Sequence, residues 1–141
     1  MFKKILVAID GSDHSMKAID AAIELAKMDQ SHVEVLYVAP SLKHITAETA
    51  TIIEQFEKDM MEESKEIVAK ATKKFEGENI QFETKVIIGN AANVIIDEAE
   101  AKGIDVILMG SRGLNVVSRF FLGSVSQKVL TYAPCSVLIV R

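Results

Sequence analysis

The sequence predicts an α/β fold, an open and mostly parallel five-stranded sheet with helices on both faces, and two observations predict it. Apolar runs of strand length alternate with amphipathic runs of helical length along the chain, a pattern that implies right-handed crossovers between parallel strands. The strand-like runs, such as Ile5-Leu6-Val7-Ala8-Ile9, are continuously apolar rather than alternating, as in strands covered on both faces. With 141 residues the chain suits one domain, 1–141, able to bury roughly two thirds of its unfolded surface without a disulfide or structural metal.

The elements follow in order. Lys4 to Ile9 reads as the first strand, ending at Asp10-Gly11-Ser12. Met16, Ile19, Ala22, Ile23 and Ala26 then recur at helical spacing behind Ser12 or Asp13 as N-cap, so a helix is expected to about Met28. Val33 to Val38 is the second strand, closed by Pro40, and Ser41 to Ala47 an irregular connection. Ile52, Ile53, Phe56, Met60, Ile67, Val68, Ala71 and Phe75 mark one face of a long helix stopped by Gly77. The third strand spans about Ile80 to Ile88. Gly89-Asn90 opens a helix carrying Val94, Ile95 and Ala99, which Lys102-Gly103 closes. Ile104 to Met109 is the fourth strand. Ser124 and Gln127 have capping-box spacing, with Ser124 as N-cap, ahead of a stripe of Val125, Val129, Leu130 and Ala133. Pro134 ends that helix, and Ser136 to Val140 is the fifth strand.

Three glycines crowd the segment after the fourth strand: Gly110, Gly113 and Gly123. Each alone could serve a tight turn. Together, between a strand end and a helix start and accompanied by Ser111, Ser124 and Ser126, they suit a phosphate, because backbone N–H groups can converge there and the helix dipole adds positive potential. Charge agrees. From Val106 to Arg141 there is no acidic side chain, whereas the preceding residues hold all 20 Asp and Glu of a chain with net charge −4. In open parallel sheets ligands sit beyond the carboxyl ends of strands where the winding reverses. If the second and third strands lie on one side of the first and the fourth on the other, a crevice opens beside Asp10 and Gly110. Asp10 reads as a ligand residue or as a brace for the turn at Gly11.

Other chemistries find little support. The acidic balance disfavours nucleic acid, and no apolar run approaches the roughly 20 residues that span a bilayer. A single cysteine, Cys135, and no recognisable signal peptide imply a cytoplasmic protein with a buried, inert thiol. His14, His32 and His44 lack metal-site spacing and read as solvated surface residues, so no metal is expected on protein side chains. Met60-Met61 reads as core, and Phe120-Phe121-Leu122 as an apolar patch that packs under its loop or meets a partner chain. No catalytic residue stands out: neither a general base nor a Walker lysine accompanies the glycines.

The spacing Gly110-x-x-Gly113, nine residues, Gly123-Ser124 resembles the universal stress protein family, together with Asp10-Gly11-Ser12 after the first strand and Pro134-Cys135-Ser136-Val137-Leu138-Ile139-Val140. The likeness covers nearly the whole chain. It implies a Rossmann-like sheet of order 3-2-1-4-5, membership of the subgroup that binds ATP, and a homodimer pairing the last strands, Ser136 to Val140. Ala8, Ile9, Asp10 and Val38 would line the adenine pocket, and Met109 and Gly110 would lie by the adenosine. Ser111, Arg112, Gly113, Gly123, Ser124, Val125 and Ser126 would surround ribose and phosphates, with Arg112 gripping a phosphate or pointing to solvent. The expected function is a regulatory, stress-response module holding ATP (or AMP or ADP), with Mg²⁺ or Mn²⁺ carried by the phosphates and catalysis slow or absent. A slow Mg²⁺-dependent ATPase and a dimeric scaffold without nucleotide are the alternatives.

Overall fold

The computed structural model describes residues 1–41, 50–112 and 122–141. Strands and helices alternate strictly in it: β1 (Lys4–Ile9), α1 (Asp13–Asp29), β2 (His32–Ala39), α2 (Ala50–Lys74), β3 (Phe82–Ile88), α3 (Ala91–Lys102), β4 (Val106–Gly110), α4 (Ser124–Tyr132) and β5 (Ser136–Val140). Every strand pairing is parallel, and the order across the sheet is β3-β2-β1-β4-β5. The winding therefore reverses between β1 and β4, as the sequence implied.

Period-two alternation in β1 divides the core into two layers. Ile5, Val7 and Ile9 face α1 and α2, packing with Ile19, Ile23, Ile67 and Phe75. Leu6 and Ala8 face the other way, towards Ala92, Ile95 and Ala99 of α3 and Val129 of α4. Ile5, Leu6, Leu36, Ile107 and Leu108 are wholly buried, each worth roughly 1.5–3 kcal/mol relative to exposure.

Local chemistry sets the helix boundaries. Ser12 caps α1, its Oγ accepting the Ser15 N–H at 3.2 Å. Asn90 caps α3 in the same way, and Gly103 closes it in the left-handed conformation. α4 stops at Ala133, whose extended backbone is the geometry favoured before a proline.

The amino end of the sheet is tied shut. The Lys3 and Lys4 N–H groups both donate to Asp105 Oδ2 at 2.8 Å. Lys102 Nζ donates to the buried Glu34 at 2.6 Å and to Glu83 at 3.1 Å. Burial pushes the Glu34 carboxyl above its ordinary value, opposed by Lys102. The Lys102 hydrogen bond, followed by that of His32, holds Glu83 below its own.

Several expectations are corrected. The apolar face of α2 is buried from Met60 onward, but Ile52 and Phe56 are exposed. Met60 is core and Met61 is not. β3 starts at Phe82 rather than Ile80 and β4 at Val106 rather than Ile104, while β2 extends from His32 to Ala39. In α4, Val129 is buried while Leu130 is exposed. Residues 42–47 of the irregular connection lie outside the described residues. Among the described residues no helix is long and apolar enough to cross a membrane.

Candidate functional site

The site begins with three side chains in one register row. Ala8 of β1 pairs with Leu36 of β2 and with Met109 of β4. The smallest of the three stands in the middle, leaving a depression between its larger neighbours on the α3–α4 side of the sheet. Val38 continues the same face of β2 two residues on, and Ala91 and Ile95, one helical turn apart, close it from α3. Together they line the apolar part of a crevice of about 280 Å³, just under the roughly 300–1,000 Å³ usual for small-molecule sites.

Its polar part lies past the carboxyl ends of β1 and β4. Asp10 Oδ1 accepts the Ser12 N–H at 2.9 Å, closing a turn in which Gly11 takes a φ of +85°. Asp10 therefore braces the turn, and it also lines the crevice. Ser12 and Ser15 of the α1 cap line it as well, facing Gly123, Ser124, Val125 and Ser126 at the start of α4.

Gly123, not Ser124, is the N-cap of α4, and among the described residues no side chain caps that helix. The capping-box expectation fails because Gly123 occupies the cap position, its carbonyl accepting the Gln127 N–H at 2.9 Å, so Ser124 becomes the first helical residue. The N-terminal amides of α4 thus open on the crevice without an internal side-chain acceptor, the arrangement that receives anions. Ser111 and Ser126 hold the turn in place. Ser126 Oγ donates to the Gly110 carbonyl at 2.9 Å, and the Gly123 N–H donates to the Ser111 carbonyl at 2.9 Å.

Gly110 has a second reason to be glycine. A Cβ there would stand 2.7 Å from His14 Cβ and 2.8 Å from the His14 carbonyl carbon, so the first turn of α1 packs directly onto the end of β4. His14 is consequently not the solvated residue expected. It is partly buried, its Nδ1 is buried without a partner among the described residues, and its Nε2 lies 3.1 Å from Arg112 Nη2.

Of the thirteen residues singled out from sequence, Ala8, Ile9, Asp10, Val38, Met109, Gly110, Arg112, Gly123, Ser124, Val125 and Ser126 line this crevice. Ser111 is buried beneath it rather than lining it. Gly113 lies outside the described residues, as do Phe120 and Phe121. Sequence reasoning missed Ser12 and Ser15 as wall residues, and also Leu36, Ala91 and Ile95. The parity of β2 could have found Leu36, and the helical spacing behind Asn90 could have found the α3 pair. Cys135 is half-buried, and burial, followed by the Asp105 charge, pushes its thiol up and away from the reactive thiolate.

The family model described as the universal stress protein family matches residues 1–141. The chain belongs to the universal stress protein family. Universal stress protein YxiE of Bacillus subtilis is 39% identical over 148 residues, covering 100% of both chains. Among solved structures, universal stress protein UspA of Lactobacillus plantarum superposes with a TM-score of 0.87 at 24% identity, covering 99% of this chain and 98% of that one. A family protein from Arabidopsis thaliana with AMP bound superposes with a TM-score of 0.71 at 19% identity, covering 98% and 90%. These likenesses to solved structures carry the universal stress protein fold, and the order β3-β2-β1-β4-β5 agrees with it.

Proposed function

We propose that this universal stress protein is a regulatory module that binds an adenine nucleotide, ATP or else AMP or ADP, in the crevice between β1 and β4. The observation that carries the reading is the uncapped start of α4 beside an apolar depression: amides for phosphate at one end, space for a flat base over Ala8 at the other. The AMP bound by the Arabidopsis thaliana relative supports the ligand class. In this reading adenine lies among Leu36, Val38, Ile95 and Met109, and the phosphates meet Gly123, Ser124, Val125 and Ser126. Gly110 and Arg112 of the glycine motif flank them. Mg²⁺ or Mn²⁺ is carried by the phosphates; among the described residues no group of three or more His, Cys, Asp or Glu could hold a metal.

Holding is favoured over hydrolysis by the chemistry of the wall. Asp10 is the one carboxylate among the described crevice residues, and the Ser12 amide already occupies its Oδ1, so it is poorly placed to activate water. Partners would read the bound state in the cytoplasm. A homodimer through Ser136 to Val140 completes the proposal: β5 ends the sheet and exposes Leu138, an apolar edge that pairing would cover.

Calorimetric titration with ATP and AMP tests the site. Binding by the wild type and its loss in Gly123→Val, with the circular dichroism of the folded chain retained, are expected, since the added bulk stands where phosphate must approach. No heat from the wild type at millimolar nucleotide sinks the reading. Sedimentation at micromolar concentration tests the dimer, which a monomer would refute.

A further inference from the structure

Arg112 is the one cationic side chain among the described residues lining the crevice. It does not stand alone. Its Nη2 lies 3.1 Å from Nε2 of His14, which does not itself line the crevice. A guanidinium has donors and no acceptor, so Nε2 accepts and the proton of the neutral ring sits on Nδ1. That Nδ1 is buried and has no partner among the described residues, which leaves a donor unsatisfied. The ring is placed by backbone rather than by its own polar contacts, because Gly110 admits the first turn of α1 against the end of β4 at His14 itself.

We propose that His14 is a positioning residue that holds Arg112 in place for the outer phosphates of a nucleoside triphosphate, so that the crevice prefers ATP to AMP. The inference rests on the nucleotide reading above and goes beyond it by naming what distinguishes one nucleotide from another. The start of α4 offers only a few free amides to the phosphates. Each further phosphate adds negative charge that those few amides do not meet, and a guanidinium grips phosphate through parallel N–H bonds. An arginine free in solvent loses side-chain entropy when it takes up such a geometry; one already tethered loses less. Imidazole suits the tether. A carboxylate partner would cancel the positive charge and compete with phosphate, whereas a neutral ring orients the guanidinium and leaves its charge whole.

Titrations of wild type, Arg112→Ala, His14→Ala and His14→Gln with both ATP and AMP test the assignment. Arg112→Ala lowers the ratio of ATP to AMP affinity by on the order of tenfold, the loss of a charged hydrogen bond. His14→Ala lowers it by about threefold, the entropy of an untethered side chain. His14→Gln, whose amide oxygen can accept from the guanidinium, restores most of it, and a purely structural role for His14 would not respond in that way. If Arg112→Ala weakens both nucleotides equally, or His14→Ala leaves the ratio at its wild-type value, the inference is overturned while the nucleotide site stands. If the wild type binds neither nucleotide, the site itself falls and takes the inference with it.

Discussion

The two ends of this sheet are built to opposite rules. At the amino end side chains answer backbone and one another: Asp105 takes the Lys3 and Lys4 amides, and Lys102 bridges Glu34 and Glu83. At the carboxyl end the one helix that starts over the crevice from a glycine lacks a side-chain cap, and a buried histidine nitrogen goes unanswered. Helices α1 and α3 show that the chain can supply caps, through Ser12 and Asn90. Leaving α4 uncapped forgoes roughly 1 kcal/mol, which a ligand with its own oxygens could return. Each end keeps one buried atom without a partner among the described residues, Glu34 Oε1 at the amino end and His14 Nδ1 at the carboxyl end. The two ends differ in the dense ion pairing of the first and the uncapped helix start of the second.

Gly110→Ala should blur that division most. The added methyl meets backbone of α1 at 2.8 and 3.0 Å, so the helix or the strand end must move, costing about 3 kcal/mol and weakening nucleotide binding as well. Urea unfolding alongside calorimetry checks both, and an unperturbed variant would mean that the close approach does not matter. Lys102→Met should sharpen the division. It strips the buried Glu34 of its cation and costs about 2 kcal/mol, discounted from a fully buried pair because Lys102 is partly exposed. Nucleotide affinity should not change, and a change of more than a few-fold would show that the two ends communicate.

The smallest effect is a pH dependence at the amino end. Because burial raises the Glu34 carboxyl in the folded state, its contribution is fully present below the unfolded value near 4.5 and is lost as pH rises through the folded value. Glu34→Gln removes that loss. Relative to wild type, the variant should therefore gain stability as pH rises from 4 to 7. A stability difference that falls instead with rising pH would reverse the assigned sign. Glu83, held down by Lys102 and then His32, acts in the opposite sense and keeps the wild-type profile shallow.

The sheet was legible in the sequence because continuous apolar runs ending in Asp10-Gly11 and Met109-Gly110 announce buried strands, whereas most of the crevice wall was legible only through the resemblance to the universal stress protein family. What escaped notice depends on distances no local pattern contains. His14 looks solvated until Gly110 is seen to admit α1. Ser124 and Gln127 match a capping box, yet the glycine before them takes the cap. Ile52 and Phe56 have core spacing, but a 25-residue helix runs about 37 Å while the eight-residue strand β2 beneath it spans about 27 Å, so part of α2 outreaches the sheet. Leu36, Ala91 and Ile95 line the crevice from elements whose relative placement only the topology decides.

Gly110 joins two things that a sheet normally keeps apart. Its carbonyl is held by Ser126 from the helical layer over the crevice, and its α-carbon is pressed by His14 from the layer on the opposite face. Between most strand residues a side chain stands as a cushion; here there is none, and the two layers share a bearing. A shift of the start of α4 would therefore bear on the first turn of α1 through the backbone of one residue.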